Sequence, residues 1–169
     1  IRGGNPHQDR GNMGWALTNR ELEEDFALIY ERGANAVRLA HYPHHPHFYD
    51  LCDQYGLLVW AEIPFVENIG GMGLSPLETD KKKDATVTRR LLENAKQQYT
   101  ELIWQQMHRP SVFCWSMSNE VRREYGDTAA RMMRELHDLA HSLDPDRYTA
   151  LATNHYGGDK WKSDIKGCN

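Results

Sequence analysis

The sequence predicts an α/β fold built on a parallel sheet, either doubly wound or closed as a (β/α)8 barrel. Three observations predict it. Apolar segments of strand length alternate with segments of helical period along 169 residues. The strand segments are continuous apolar runs, such as LLVWAEIP at 57–64 and VFCWSM at 112–117, as in strands covered on both faces. A long polar connection over 66–85, containing ENIGGMGLSPLETDKKKD, follows directly after a strand, and long loops at that position build sites at the carboxyl end of a barrel.

The elements follow in order. Thr18 and Glu21 have capping-box spacing, and Leu22, Phe26 and Ile29 continue at helical spacing until Gly33 supplies a left-handed stop. AVRLAH (36–41) is a short strand. Pro46 opens a second helix that turns Phe48, Leu51 and Cys52 inward and ends at Gly56. After the strand at 57–64 and the polar connection comes a long helix over 85–108, with Leu91, Ala95, Tyr99, Leu102 and Met107 on one side. A strand at 112–117 precedes a helix at 128–143, whose stripe is Met132, Leu136, Leu139 and Leu143 and which Pro145 ends. TALAT (149–153) and DIKGC (164–168) are the last strands.

Charge is balanced, with 20 basic and 24 acidic side chains, so no nucleic acid or anionic membrane partner is expected. No apolar run reaches the roughly 18–20 residues of a membrane span. Cys52, Cys114 and Cys168 are isolated and odd in number, as expected of buried small apolar residues rather than a disulfide framework. No GxGxxG or P-loop follows a strand. The chain opens on IRGG and closes on IKGCN, which reads as one partial domain, 1–169, of a larger multidomain protein. Lys81, Lys82 and Lys83 read as a solvated loop face.

In a barrel, polar residues at the carboxyl ends of strands share one face. Collecting them yields Asn5 and His7, Arg38 and His41, Glu62, Asn119 and Glu120, then Asn154 and His155. The set is rich in carboxylates and hydrogen-bond donors without a pattern of soft metal ligands. It suits a polyhydroxylated ligand.

RGGNPH at 2–7, NAVRLAHYPHHPHFYDLCDQYGLLVWAE at 35–62 and HRPSVFCWSMSNE at 108–120 closely resemble glycoside hydrolase family 2, its β-galactosidases best. The resemblance implies a (β/α)8 TIM barrel, here incomplete with about its first six β/α units. It implies retaining hydrolysis of terminal β-D-galactosides, with Glu120 as general acid/base. Asn119 would hydrogen-bond the sugar 2-hydroxyl, Arg38 would hold and ionise the nucleophile, and His7 and His41 would line the sugar pocket. The family's nucleophile is a glutamate ending the seventh strand, which this sequence does not reach. Glu62 is the lesser alternative, because adjacent strands about 4.8 Å apart bring it near Glu120. Retaining chemistry needs its two carboxyl groups about 5–5.5 Å apart.

No cofactor is expected. Mg2+ is the one the resemblance allows, through a glutamate and a histidine after the third strand, but PFVENIGG holds Glu67 with no histidine near it. The rival readings are a β-glucuronidase or β-mannosidase of the same family. From another class there is a metal-dependent barrel hydrolase using His41, His44, His45 and His47, against which Pro43 and Pro46 break any helical spacing. Trp15, Trp60, Trp115 and Trp161 are potential sugar-stacking faces, with Trp60 and Trp115 better placed for packing. A carbohydrate is the expected partner, and open sheet edges would favour self-association.

Overall fold

Strand and helix alternate in the predicted order in a computed structural model that describes residues 1–66, 85–121, 126–153 and 161–168. The strands are β1 (Gly3–Gly4), β2 (Ala36–Arg38), β3 (Leu58–Glu62), β4 (Val112–Asn119), β5 (Tyr148–Thr153) and β6 (Ile165–Cys168). The helices are α1 (Asn19–Glu31), α2 (Pro46–Tyr55), α3 (Ala85–Gln106) and α4 (Gly126–Leu143). The strands lie side by side in chain order, each parallel to the next. They form a curled half-barrel clothed by helices, an incomplete TIM barrel.

One contact measures the curl. A Cβ placed on Gly167 in β6 would lie 3.2 Å from Cη2 of Trp60 in β3. Three inter-strand steps in a flat sheet are about 14 Å, farther than an indole spans. The sheet therefore bends until Trp60 crosses its concave side, and glycine leaves room for the ring.

Local signals set the helix ends. The Glu21 carboxylate accepts hydrogen bonds from the Thr18 amide (2.8 Å) and hydroxyl at the start of α1. Pro46 occupies the first turn of α2, where a missing amide proton costs nothing, and Gly56 ends it at φ 74. Leu22, Phe26, Phe48, Leu51 and Cys52 are buried between the helices and the sheet. On α3 the buried stripe is Leu92, Ala95, Tyr99, Leu102 and Ile103. Met107 is not part of it: α3 ends at Gln106, the chain turns away, and Met107 is exposed. On α4, Met132, Met133 and Leu136 are buried, while Leu139 and Leu143 pack at the margin.

Trp115 faces the helices, its Nε1 donating to Asp144 Oδ2 (3.1 Å) and its carbonyl accepting from the Tyr99 hydroxyl (2.8 Å). Trp161 is buried in the same core, which removes it as a stacking face. Cys52 and Cys114 are buried free thiols, and burial pushes Cys52 up to about 12. At the amino end of β4, Arg109 donates to Asp50 (2.7 Å) and Asp53 (2.9 Å), and the Ser111 amide donates to Asp53 (3.0 Å). The Arg109–Ser111 portion of the family-like motif thus fastens β4 to α2 at the end opposite the polar cluster. Among the described residues no helix is long and apolar enough to cross a membrane.

Candidate active site

The polar cluster centres on Glu62, the last residue of β3, which has no solvent exposure. Five donors converge on its carboxylate: Arg38 Nε (3.0 Å) and Nη2 (3.0 Å), His41 Nδ1 (2.7 Å), Trp60 Nε1 (3.2 Å) and Ser116 Oγ (2.7 Å). Strand register explains the convergence. Arg38 stands opposite Trp60, and Glu62 opposite Ser116, so all four point to the concave side. Burial pushes the Glu62 carboxyl up, but the hydrogen bonds from His41 and Arg38, with the Arg38 charge, outweigh it and hold it below the ordinary range.

This geometry assigns protons. An ionised carboxylate only accepts, so His41 carries hydrogen on Nδ1, and Nε2 is its other face. The 3.4 Å approach of Arg38 Nη2 to His41 Nδ1 is then a contact between two donors. Arg38 Nη2 also donates to Asn119 Oδ1 at 2.7 Å. Because a guanidinium cannot accept, the amide oxygen must face Arg38, and the Nδ2 end is turned the other way.

Asn119 reaches this cluster through an irregularity. In strict alternation, residues 116 and 119 would face opposite sides of the sheet. The register shifts between them, with Ser116 opposite Ala150 but Asn119 opposite Ala152, so both face inward. Ser118 turns outward to Met133 on α4, its Oγ 3.3 Å from Sδ. Glu120 follows, half-buried, at φ 51, a left-handed backbone that costs a non-glycine residue on the order of 1 kcal/mol or more. Its amide donates to the Ala152 carbonyl at 2.8 Å, and the Asn119 amide donates to Phe65 at 2.9 Å. Bulge and turn together set two consecutive polar residues at one end of the sheet.

Around the rim, the exposed His7 meets His41 edge-on at 5.2 Å between ring centroids. Tyr42 lies 6.2 Å from His7 and 5.1 Å from Trp15, which is exposed, so an aromatic edge runs outward from His41. A cleft of about 270 Å³ beside it shares His7 with this rim but includes none of Arg38, Glu62, Asn119 or Glu120.

Of the expected residues, the structure brings Arg38, His41, Glu62 and Asn119 into one bonded cluster, with Glu120 next to Asn119 and His7 at the rim. Glu67, Asn154, His155 and the Lys81–Lys83 run lie outside the described residues. The histidine group disperses. His44 is buried against the Ala40 carbonyl (3.2 Å), His45 Nδ1 accepts from the His47 amide (3.2 Å), and His47 pairs with Glu23 (2.9 Å). These separate engagements argue against a shared metal. Ser116 and Trp60 are Glu62 partners that the strand-end pattern by itself does not mark. A serine within an apolar strand, opposite a strand-end glutamate, was the available signal.

A half-barrel carrying carboxylates and their donors at the carboxyl ends of its strands defines a (β/α)-barrel site domain. The chain belongs to glycosyl hydrolases family 2, whose TIM barrel domain matches residues 1–166. It is 43% identical over 151 residues to a protein of Bacteroides fragilis named Beta-glucuronidase, covering 89% of this chain and 20% of that one. It is 36% identical over 120 residues to a Beta-galactosidase of Vibrio vulnificus, covering 71% of this chain and 11% of that one. The solved structure of a beta-D-glucuronidase of Dictyoglomus thermophilum aligns with TM-score 0.81 and 30% identity, over 98% of this chain and 28% of that one. The chain thus spans about a fifth of the length of the first of these relatives.

Proposed function

We propose that this chain supplies the acid/base side of the active centre in a retaining β-glycosidase. The observation that carries the reading is the Glu62–Arg38–Asn119 chain of hydrogen bonds ending beside Glu120. In this reading Glu120 protonates the leaving glycosidic oxygen and then deprotonates the water that releases the sugar. Asn119, with its oxygen held by Arg38, offers Nδ2 to the sugar 2-hydroxyl, a bond that strengthens as the ring gains oxocarbenium character. His41 Nε2 and His7 line the sugar pocket. The attacking carboxylate is a glutamate outside residues 1–169, kept ionised by the Arg38 charge. Glu62 is unsuited to that task, since its oxygens are saturated and shielded from solvent.

A terminal β-D-galactoside is the first substrate in this proposal. A β-glucuronide is the second reading, favoured by the 43% identity to the Bacteroides fragilis relative. Glu120→Ala in the full chain should cut hydrolysis of glycosides with poor leaving groups by about 10²-fold or more. Activated aryl glycosides should suffer less, and azide should restore them, giving a glycosyl azide of retained configuration. Equal loss on both substrate types without azide rescue removes Glu120 from the role. Comparing aryl β-galactoside with aryl β-glucuronide decides the sugar.

A further inference from the structure

On the helix-facing side of the sheet, α4 meets β5 and the lead into β6 through His137, His141 and Asp164. The two histidines are one helical turn apart on one face, their ring centroids separated by 4.6 Å. His141 Nε2 lies 2.8 Å from Asp164 Oδ2. One ligand atom from each of the three residues lies within 4.8 Å of the others.

Thr149 sets the protons. Its amide (2.7 Å) and its hydroxyl (2.9 Å) both donate to Asp164 Oδ2. A hydroxyl has one proton, so Thr149 Oγ1 must accept the 2.7 Å bond it makes with His137 Nδ1. His137 therefore carries hydrogen on Nδ1 and a lone pair on Nε2. This is the tautomer of a metal-bound histidine, whose other ring nitrogen donates to a fixed acceptor. The neighbouring Lys162 ammonium is paired with Asp138 at 2.8 Å.

We propose that His137, His141 and the Asp164 carboxylate bind a divalent transition-metal cation of the Zn2+ type, with solvent completing its coordination. Two imidazoles and a carboxylate form a borderline N/O donor set that suits Zn2+ better than Ca2+ or Mg2+. The cation replaces the His141–Asp164 hydrogen bond and ties β6, an edge strand of the described sheet, to α4. Its role is a structural clamp remote from Glu120.

The test is Zn2+ titration of the chelator-stripped full chain by calorimetry, with thermal unfolding in parallel and Co2+ absorption reporting the ligand field. One chelator-reversible equivalent is expected, with a rise in melting temperature. His141→Ala should weaken binding at least about tenfold, as should Thr149→Val, which removes no ligand but frees the His137 ring. His141 is only half-buried, so its replacement leaves the core intact, and the Co2+ spectrum of the unaltered chain is an independent readout. Failure to take up Zn2+ at tens of micromolar, a Co2+ spectrum identical to that of the free ion, or uptake unchanged by His141→Ala overturns the proposal.

Discussion

Arg38 grips Glu62 through two hydrogen bonds of 3.0 Å, one from Nε and one from Nη2, in a site where Glu62 has no solvent exposure. A pair this buried is held in place by what its removal would strand. Glu62→Gln leaves the Arg38 charge without its counterion and turns an amide NH2 toward other donors. The expected loss is about 3–5 kcal/mol of stability. Urea denaturation at neutral pH measures it. A loss below about 1 kcal/mol would mean that Glu62 does not organise the site.

The meeting of Trp60 and Gly167 can be tested by overfilling it. Gly167→Leu forces the indole aside, with an expected cost of about 1–3 kcal/mol. In a Trp60→Ala background the same substitution should cost little, because the space is then open. A double-mutant cycle compares the two costs, and equal values in both backgrounds would contradict the cross-barrel contact.

Acid should weaken the fold in two stages. Burial pushes His44 down from 6.5 to about 4, with its hydrogen bond to the Ala40 carbonyl opposing. The unfolded chain takes up that proton first, so this contribution is complete above pH 6.5 and is lost as pH falls to about 4. It amounts to about 3 kcal/mol. Glu62 follows at lower pH: its folded value is depressed, so its contribution is complete above the unfolded carboxyl value and disappears as pH falls through the folded one. Urea midpoints between pH 7 and 4 should flatten in His44→Gln. The same slope in variant and parent would clear His44 of the effect.

Residues 1–169 expressed alone should turn over neither aryl β-galactoside nor aryl β-glucuronide. Acid assistance without an attacking carboxylate contributes only about 10²–10⁴-fold. β1 and β6 are the edges of the described sheet, so the isolated segment should self-associate with rising concentration in size-exclusion chromatography. Robust turnover abolished by Glu62→Gln would instead make Glu62 the nucleophile.

Much of the architecture could be read along the chain because its causes are local. A capping glutamate acts three residues away at Thr18, Pro46 and Gly56 bracket a helix through their own backbone limits, and an apolar stripe repeats every turn. The end of β4 was legible for a related reason: a mostly apolar run that closes on Asn119 and Glu120 marks a buried strand with a polar tip. Alternation along one strand could not show that a register shift turns Ser116 and Asn119 to the same side. Nor could it show that β2, β3 and β4 align Arg38, Trp60, Glu62 and Ser116 so that a carboxylate at a strand end becomes a saturated anchor. His41, His44, His45 and His47 read as one cluster in the chain, yet backbone direction sends each to a different partner. Trp60 and Gly167 are more than a hundred residues apart, and only the curl of the sheet brings them together. Side-chain direction depends on which strand lies alongside and in what register, and those pairings form between segments distant in the chain.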